Sequence, residues 1–305
     1  MYLKFYKWGE IVIIGTDLGY SFTKDSNGNM FRSLMAKEKP AVTSAMEVNI
    51  DGKNYYVGTG NGTVNVNKTN SELTKVLLLT DLWLNKGTDY KIVTGLPIGQ
   101  FNKQKEQLKQ SILSWNHSRV SGKQIIISDV LIFPQAAGAL YSQNMHDDCI
   151  VVDVGGRTTD IGLFEYPNGK ATLINSSTVF KGMEGINSEV VKAVNEKFEL
   201  SLEPRHGEHI LRKGLSVDGE TKDVSFICGI ASNYFEPVWT ELKLNYPIRT
   251  TNVFYCGGGA KILSQQLKIK NSLVLSNSQF ANALGFYRAG LSAFGGGNRY
   301  ERSIG

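Results

Sequence analysis

Two widely separated segments of this 305-residue chain follow one grammar, and that repetition restricts the fold more than any other feature. They read Ile14-Gly15-Thr16-Asp17-Leu18-Gly19-Tyr20-Ser21-Phe22-Thr23-Lys24 and Val151-Val152-Asp153-Val154-Gly155-Gly156-Arg157-Thr158-Thr159-Asp160-Ile161-Gly162. Each is a β-branched apolar run ending at an aspartate, then a turn with glycine and hydroxyls, then a second apolar stretch: strand, acidic turn, strand. Glycine in such a turn lets backbone N–H groups approach phosphate oxygens, and a carboxylate at the strand end can hold the waters of a Mg²⁺ ion. Taken singly, the first segment is equally an ordinary hairpin. The second is more specific, because it gathers paired glycines, hydroxyls and a second carboxylate, Asp160, in one loop. Together they predict a duplicated fold that grips phosphate from two sides.

Between and beyond these turns the pattern alternates helix with strand. Residues 40–70 are rich in Asn, Gly, Thr and Val, with Asp51-Gly52 at a turn, and predict a small inserted sheet. Residues 71–86 place Leu73, Val76, Leu77, Leu79 and Leu84 at helical spacing behind Ser71, a candidate N-cap. A strand over 90–94, a Lys/Gln-rich helix over 102–114, a strand within 124–133, a small-residue helix over 136–144 and a buried strand over 149–153 follow. Residues 188–198 are helical in pattern. The polar stretch from there to about 250 reads as a second insertion, with Glu208, Arg212 and Lys213 on a charged helix face. The predicted class is α/β.

Composition narrows the function classes. A hydrophobic content of 41% supports a substantial core, and a net charge of +5 is spread without any basic run that would mark a nucleic-acid arm. Cys149, Cys228 and Cys256 lie far apart with no CxxC pair, against a disulfide framework or structural zinc site, and the expected compartment is cytoplasmic. No segment is long and apolar enough to span a bilayer, and residues 1–10 lack the apolar core of a secretion signal.

A third element, Phe254-Tyr255-Cys256-Gly257-Gly258-Gly259-Ala260-Lys261, runs from a strand through three glycines into a helix, offering flat backbone and a helix N-terminus to a nucleotide. In this order the three elements resemble the two phosphate motifs and the adenosine motif of the actin superfamily, over nearly the whole chain. That family places a connecting helix between the phosphate motifs, and Ile132-Phe133-Pro134-Gln135-Ala136-Ala137-Gly138-Ala139 is similar to it. The resemblance implies a two-lobed, duplicated ribonuclease H-like fold with a nucleotide cleft and two inserted subdomains. Lobe I would span 1–150 with its insertion at about 32–72. Lobe II would span 151–290 with its insertion at about 186–250, and 291–305 would form a flexible tail. The last helix, about 279–290, is a candidate for packing back on lobe I.

The same resemblance implies the site. Gln135 falls where relatives orient the attacking water, and Asp17 and Asp153 where they hold Mg²⁺ through water. Gly19, Tyr20, Ser21, Lys24, Gly155, Gly156, Arg157 and Thr158 would surround the phosphates. Gly182 and Glu184, in Lys181-Gly182-Met183-Glu184-Gly185, would approach the ribose, and Gly257, Gly258, Gly259 and Lys261 the adenosine. Arg157 departs from the smaller polar residue usual in ParM-type proteins, and Tyr20-Ser21 from the smaller pair of actin.

Within the superfamily, the short length, Val93-Thr94-Gly95-Leu96-Pro97-Ile98 and Gln279-Phe280-Ala281-Asn282-Ala283-Leu284-Gly285-Phe286-Tyr287-Arg288-Ala289-Gly290 look like their counterparts in the plasmid-segregating, ParM-type branch. That branch implies a slow ATPase (or GTPase) using Mg²⁺ and self-association into polar filaments. It also implies a small DNA-binding adaptor on a centromere-like plasmid site, with no direct DNA binding required and no membrane. The alternative is a small-molecule (sugar or acid) kinase, which needs a polar acceptor pocket with a carboxylate base. No sugar-binding motif is evident near either turn, and no room remains for a chaperone's peptide-binding domain.

Overall fold

The computed structural model describes residues 11–41, 44–60, 68–69, 71–143, 145–169 and 171–295. The chain divides into two compact units: Met1–Leu96, Gln100–Asn144 and Asn282–Gly305 form the first, Pro97–Gly99 and Met145–Ala281 the second.

The first unit opens with β1 (Ile11–Leu18), β2 (Phe22–Asp25) and β3 (Met30–Arg32), an antiparallel meander. Then come β4 (Met35–Ala36) and the hairpin β5 (Met46–Ile50) and β6 (Lys53–Val57). That hairpin turns on Asp51 and Gly52, both with positive φ (51° and 86°), as the sequence predicts. Helix α1 (Glu72–Leu84) starts at Ser71, whose hydroxyl accepts the Thr74 N–H, and its leucines enter the core. Then come β7 (Asp89–Leu96), α2 (Ile98–Ser114), β8 (Ser118–Val120), β9 (Lys123–Pro134) and α3 (Ala137–Gln143). Helix α2 begins four residues earlier than the sequence pattern predicts, directly after Pro97, whose ring suits a helix start. The sheet order is β3-β2-β1-β7-β9-β8-β5-β6-β4, with β1, β7 and β9 mutually parallel.

The second unit repeats the scheme. Strands β10 (Cys149–Val154), β11 (Thr159–Glu165) and β12 (Thr172–Val179) form a second antiparallel meander. Helices α4 (Met183–Phe198) and α5 (Gly207–Lys213), the hairpin β13 (Leu215–Val217) and β14 (Glu220–Lys222), and α6 (Ile227–Asn245) follow in the chain. Strand β15 (Asn252–Cys256), α7 (Ala260–Leu267) and β16 (Ser272–Val274) complete the unit, in the order β12-β11-β10-β15-β16. Meander followed by two parallel strands matches β3-β2-β1-β7-β9 strand for strand, so the repeated sequence grammar reflects repeated topology. Each unit has its own apolar core, one built on β1, β7, β9 and α1, the other on β10, β15, α4 and α6.

The last helix, α8 (Ala281–Phe294), packs on the first unit. A Cβ on Gly15 would lie 2.2 Å from the Ala283 carbonyl oxygen, and one on Gly285 only 1.6 Å from the Gly138 carbonyl oxygen, so glycine alone allows this approach. Arg288 donates to the Tyr141 and Ser142 carbonyls that end α3. The tail expected from residue 291 is corrected: Leu291 to Phe294 continue the helix, because Leu291, Ala293 and Phe294 extend its helix-forming run, and residues 296–305 lie outside the described residues.

Candidate nucleotide site

In the first unit, the strand pairing sets Asp17 opposite Lys24 across the β1–β2 hairpin, and their side chains form an ion pair at 2.8 Å. Gln135 donates its side-chain amide to Asp17 Oδ1 at 3.0 Å. All three are buried, so this cluster works in a medium where charge–dipole contacts count. Gln135 lies buried in the short link between β9 and α3. Its backbone N–H is anchored on the Leu96 carbonyl, and Ala136 beside it adopts φ +69°, held by the Asn282 side-chain oxygen. A left-handed alanine is costly and is tolerated where neighbours enforce it. This reversal lets the chain end β9, present Gln135 and enter α3 within three residues. The turn from Gly19 to Ser21 is tied down by Ser33, which donates to the Gly19 carbonyl at 2.7 Å. Tyr20 carries the buried Lys68 ammonium 4.9 Å from its ring centroid.

Beneath this cluster lies a fully buried carboxyl. Asp81 of α1 accepts the Thr16 hydroxyl at 2.7 Å, next to Asp17. Burial pushes its pKa well above the ordinary 3.8, the neighbouring Asp25 carboxylate adds to this, and the Thr16 bond opposes it. Asp25, opposite Thr16 in the hairpin, accepts from the Asn27 and Asn29 backbones and from the Asn29 and Asn85 side chains.

In the second unit, Asp153 is the last residue but one of β10 and is 8% exposed. The β10–β11 turn is closed by Gly155 N–H on the Thr158 carbonyl at 2.9 Å. Thr158 points its hydroxyl at Asp160, which Thr178 also supplies, so Asp160 braces the turn from inside. The glycine triplet joins the same corner. Gly257 has φ +83°, and a Cβ there would stand 2.4 Å from Asp153 Oδ1 and from the Val154 carbonyl oxygen. Gly259 N–H donates to that carbonyl at 3.1 Å. Around Gly258, by contrast, a Cβ would meet nothing within 4 Å: the backbone faces open space, as a surface for a flat ligand requires. Lys261 is exposed on the first turn of α7.

The turn into α4 is bonded to the phosphate-type turn. Met183 N–H donates to Gly155 O at 3.0 Å and Glu184 N–H to Gly156 O at 2.7 Å. Gly182, the N-cap, is locked by Tyr234, whose hydroxyl bonds both its N–H and its carbonyl. Arg157 pairs with Glu184 at 3.1 Å. The residues expected at ribose and phosphate are thus gathered in one place in this unit. Arg212, on the charged helix face expected from the sequence, donates its guanidinium to the Gly258 carbonyl at 2.8 Å while Glu208 holds its Nε at 2.9 Å. The i,i+4 spacing lets Glu208 and Arg212 pair on one helix face.

The comparisons with known proteins cover both units. The description "Actin like proteins N terminal domain" matches residues 15–138, and "Archaeal actin homologue MreB-like, C-terminal" matches residues 151–269. The chain belongs to the actin-like family. No curated protein matches it in sequence. Among solved structures, this actin-like chain is similar to a 15-stranded ParM filament from Clostridium botulinum, with TM-score 0.72 and 24% identity over 92% of this chain and 99% of that one. It is also similar to a non-polymerisable quadruple mutant of pCBH ParM, with TM-score 0.68 and 24% identity over 93% and 100%. Ta0583, an archaeal actin homologue in complex with ADP, gives TM-score 0.77 and 20% identity over 92% and 100%. At these identities the likeness is one of fold. Among the described residues no helix is long and apolar enough to cross a membrane.

Proposed function

We propose that this actin-like protein binds and hydrolyses ATP, or GTP, with Mg²⁺, forms polar filaments in a nucleotide-dependent way, and moves plasmid DNA through a small DNA-binding adaptor. The observation that carries the reading is the Gln135–Asp17–Lys24 cluster: a neutral amide, a carboxylate and an ammonium held together at the end of a parallel sheet. Ligands of α/β sheets collect at such strand ends. The oxygen-only donors Asp17 and Asp153 suit Mg²⁺, which keeps most of its waters, and among the described residues no cluster of three His, Cys, Asp or Glu points to another metal. Mg²⁺, when bound, would neutralise charge on the phosphates.

The protein's own groups have separable tasks. Lys24 and the turn N–H groups from Gly19 to Ser21 and from Gly156 to Thr158 would bind phosphate oxygens. Gly182 would approach the ribose, and Gly257 to Gly259 with Lys261 would bear the adenosine. Gln135 cannot act as a strong base, so its task is to orient water for in-line attack, which favours slow turnover. Filament growth requires a heterologous contact that does not close on itself. ParM filaments among the structural relatives support this part of the reading.

The test is right-angle light scattering with electron microscopy of purified protein in Mg²⁺ with ATP, GTP, ADP or a non-hydrolysable analogue. Filaments that appear with triphosphate and later decay support the reading. Tight nucleotide binding with monomer alone at high concentration overturns the filament part.

A further inference from the structure

Arg157 sits in the β10–β11 turn, between Gly156 and Thr158, where a large cation is not needed to make the turn. Its Nε donates to Glu184 Oε2 at 3.1 Å, with side-chain exposures of 34% and 47%. The main chain under this pair is fixed. Glu184 N–H is bonded to Gly156 O at 2.7 Å, and a Cβ on Gly182 would stand 2.6 Å from the Arg157 carbonyl carbon. The tips meet at the surface: an ion pair this exposed changes an equilibrium by only about two- to fivefold and is screened by salt.

The two backbone bonds have a second effect. They commit the Met183 and Glu184 N–H groups of α4 to the carbonyls of the turn, so those donors are not offered to a ligand. Positive charge at this corner comes instead from the Arg157 guanidinium, a planar fork suited to phosphate oxygens. We propose that Arg157 is a phosphate ligand held in reserve by Glu184: a triphosphate reaching the β10–β11 turn draws the guanidinium off the carboxylate and onto its oxygens. This deepens the nucleotide reading above and rests on it. Glu184 then acts as a competing counter-ion, opposite in effect to a ribose ligand.

The sign of one substitution separates the two roles. The experiment is calorimetric titration of Mg²⁺ with adenylyl imidodiphosphate, and separately with ADP, into wild type, E184Q, R157A and the double variant, at protein concentrations below assembly. Wild-type binding is the control; if wild type binds neither nucleotide, the nucleotide reading falls and the reserve arginine with it. With wild type binding, E184Q is expected to bind the triphosphate analogue about two- to fivefold more tightly. R157A should bind it about tenfold or more weakly. The double variant should match R157A, because nothing remains to release. Unchanged or weaker binding by E184Q, or a gain that persists without the arginine, overturns the proposal while leaving nucleotide binding intact.

Discussion

Gln135 reaches Asp17 across 118 positions of sequence, its amide nitrogen 3.0 Å from the carboxylate. In this pose the amide oxygen remains available to a water while the nitrogen is held. Replacing Gln135 by Ala should slow phosphate release by about a hundredfold, within the range for a lost water-orienting group. Nucleotide-triggered assembly should persist and filaments should outlive those of wild type. Phosphate-release assays and the decay of light scattering check this, and equal disassembly rates would remove Gln135 from the water-orienting role.

Asp153 should behave differently. Asp153→Ala removes a carboxylate without breaking the strand, so hydrolysis should fall by at least about a hundredfold while stability changes by no more than about 1–2 kcal/mol. Steady-state hydrolysis measured beside urea unfolding separates the two quantities. Wild-type turnover in the variant would take Asp153 out of the site.

Gly258 and Gly285 form a matched pair of glycine tests. A Cβ on Gly258 enters open space, so Gly258→Ala should leave the urea midpoint unchanged and weaken nucleotide binding. A Cβ on Gly285 would overlap the Gly138 carbonyl oxygen at 1.6 Å, so Gly285→Ala should cost about 1–3 kcal/mol or more. A destabilised Gly258 variant with normal binding would show that the triplet serves only the turn.

Asp81 gives a pH dependence of known sign. Its pKa in the folded protein is raised above the ordinary 3.8, so the folded state keeps a proton that the unfolded state releases. The stability this provides is complete below about pH 4 and declines as pH rises toward the folded value, by up to about 1.4 kcal/mol per pH unit within that window. Asp81→Asn accepts from Thr16 and offers Asp25 a donor without titrating. It should exceed wild type in melting temperature at pH 7 and lose that advantage toward pH 4. Parallel melting curves at both pH values would show no such convergence if Asp81 ionised freely in the fold.

The sequence displayed most of the fold because its signals are local. Asp51-Gly52 needs only a tight turn, Ser71 only a helix behind it, and the two acidic turns carry their strands with them. Relationships across the chain were hidden for the opposite reason. Nothing near Arg212 announces the Gly258 carbonyl, and Asp81, inside a run of leucines, looks like the polar edge of an amphipathic helix until Thr16 is beside it. The motif singles out Gln135. It does not show the burial of that side chain, because that depends on a left-handed Ala136 pinned by Asn282 from the far end of the chain.

That last attachment sets an order of events during synthesis. The first unit contributes β1 before any other described strand, yet its seal, α8 against Gly15 and Gly138, is encoded after the whole second unit. At ribosomal speeds the nascent first unit waits on the order of ten seconds with that face uncovered. Chaperone engagement on stalled chains should therefore persist past completion of β16 and end only when the helix bearing Asn282 and Gly285 emerges.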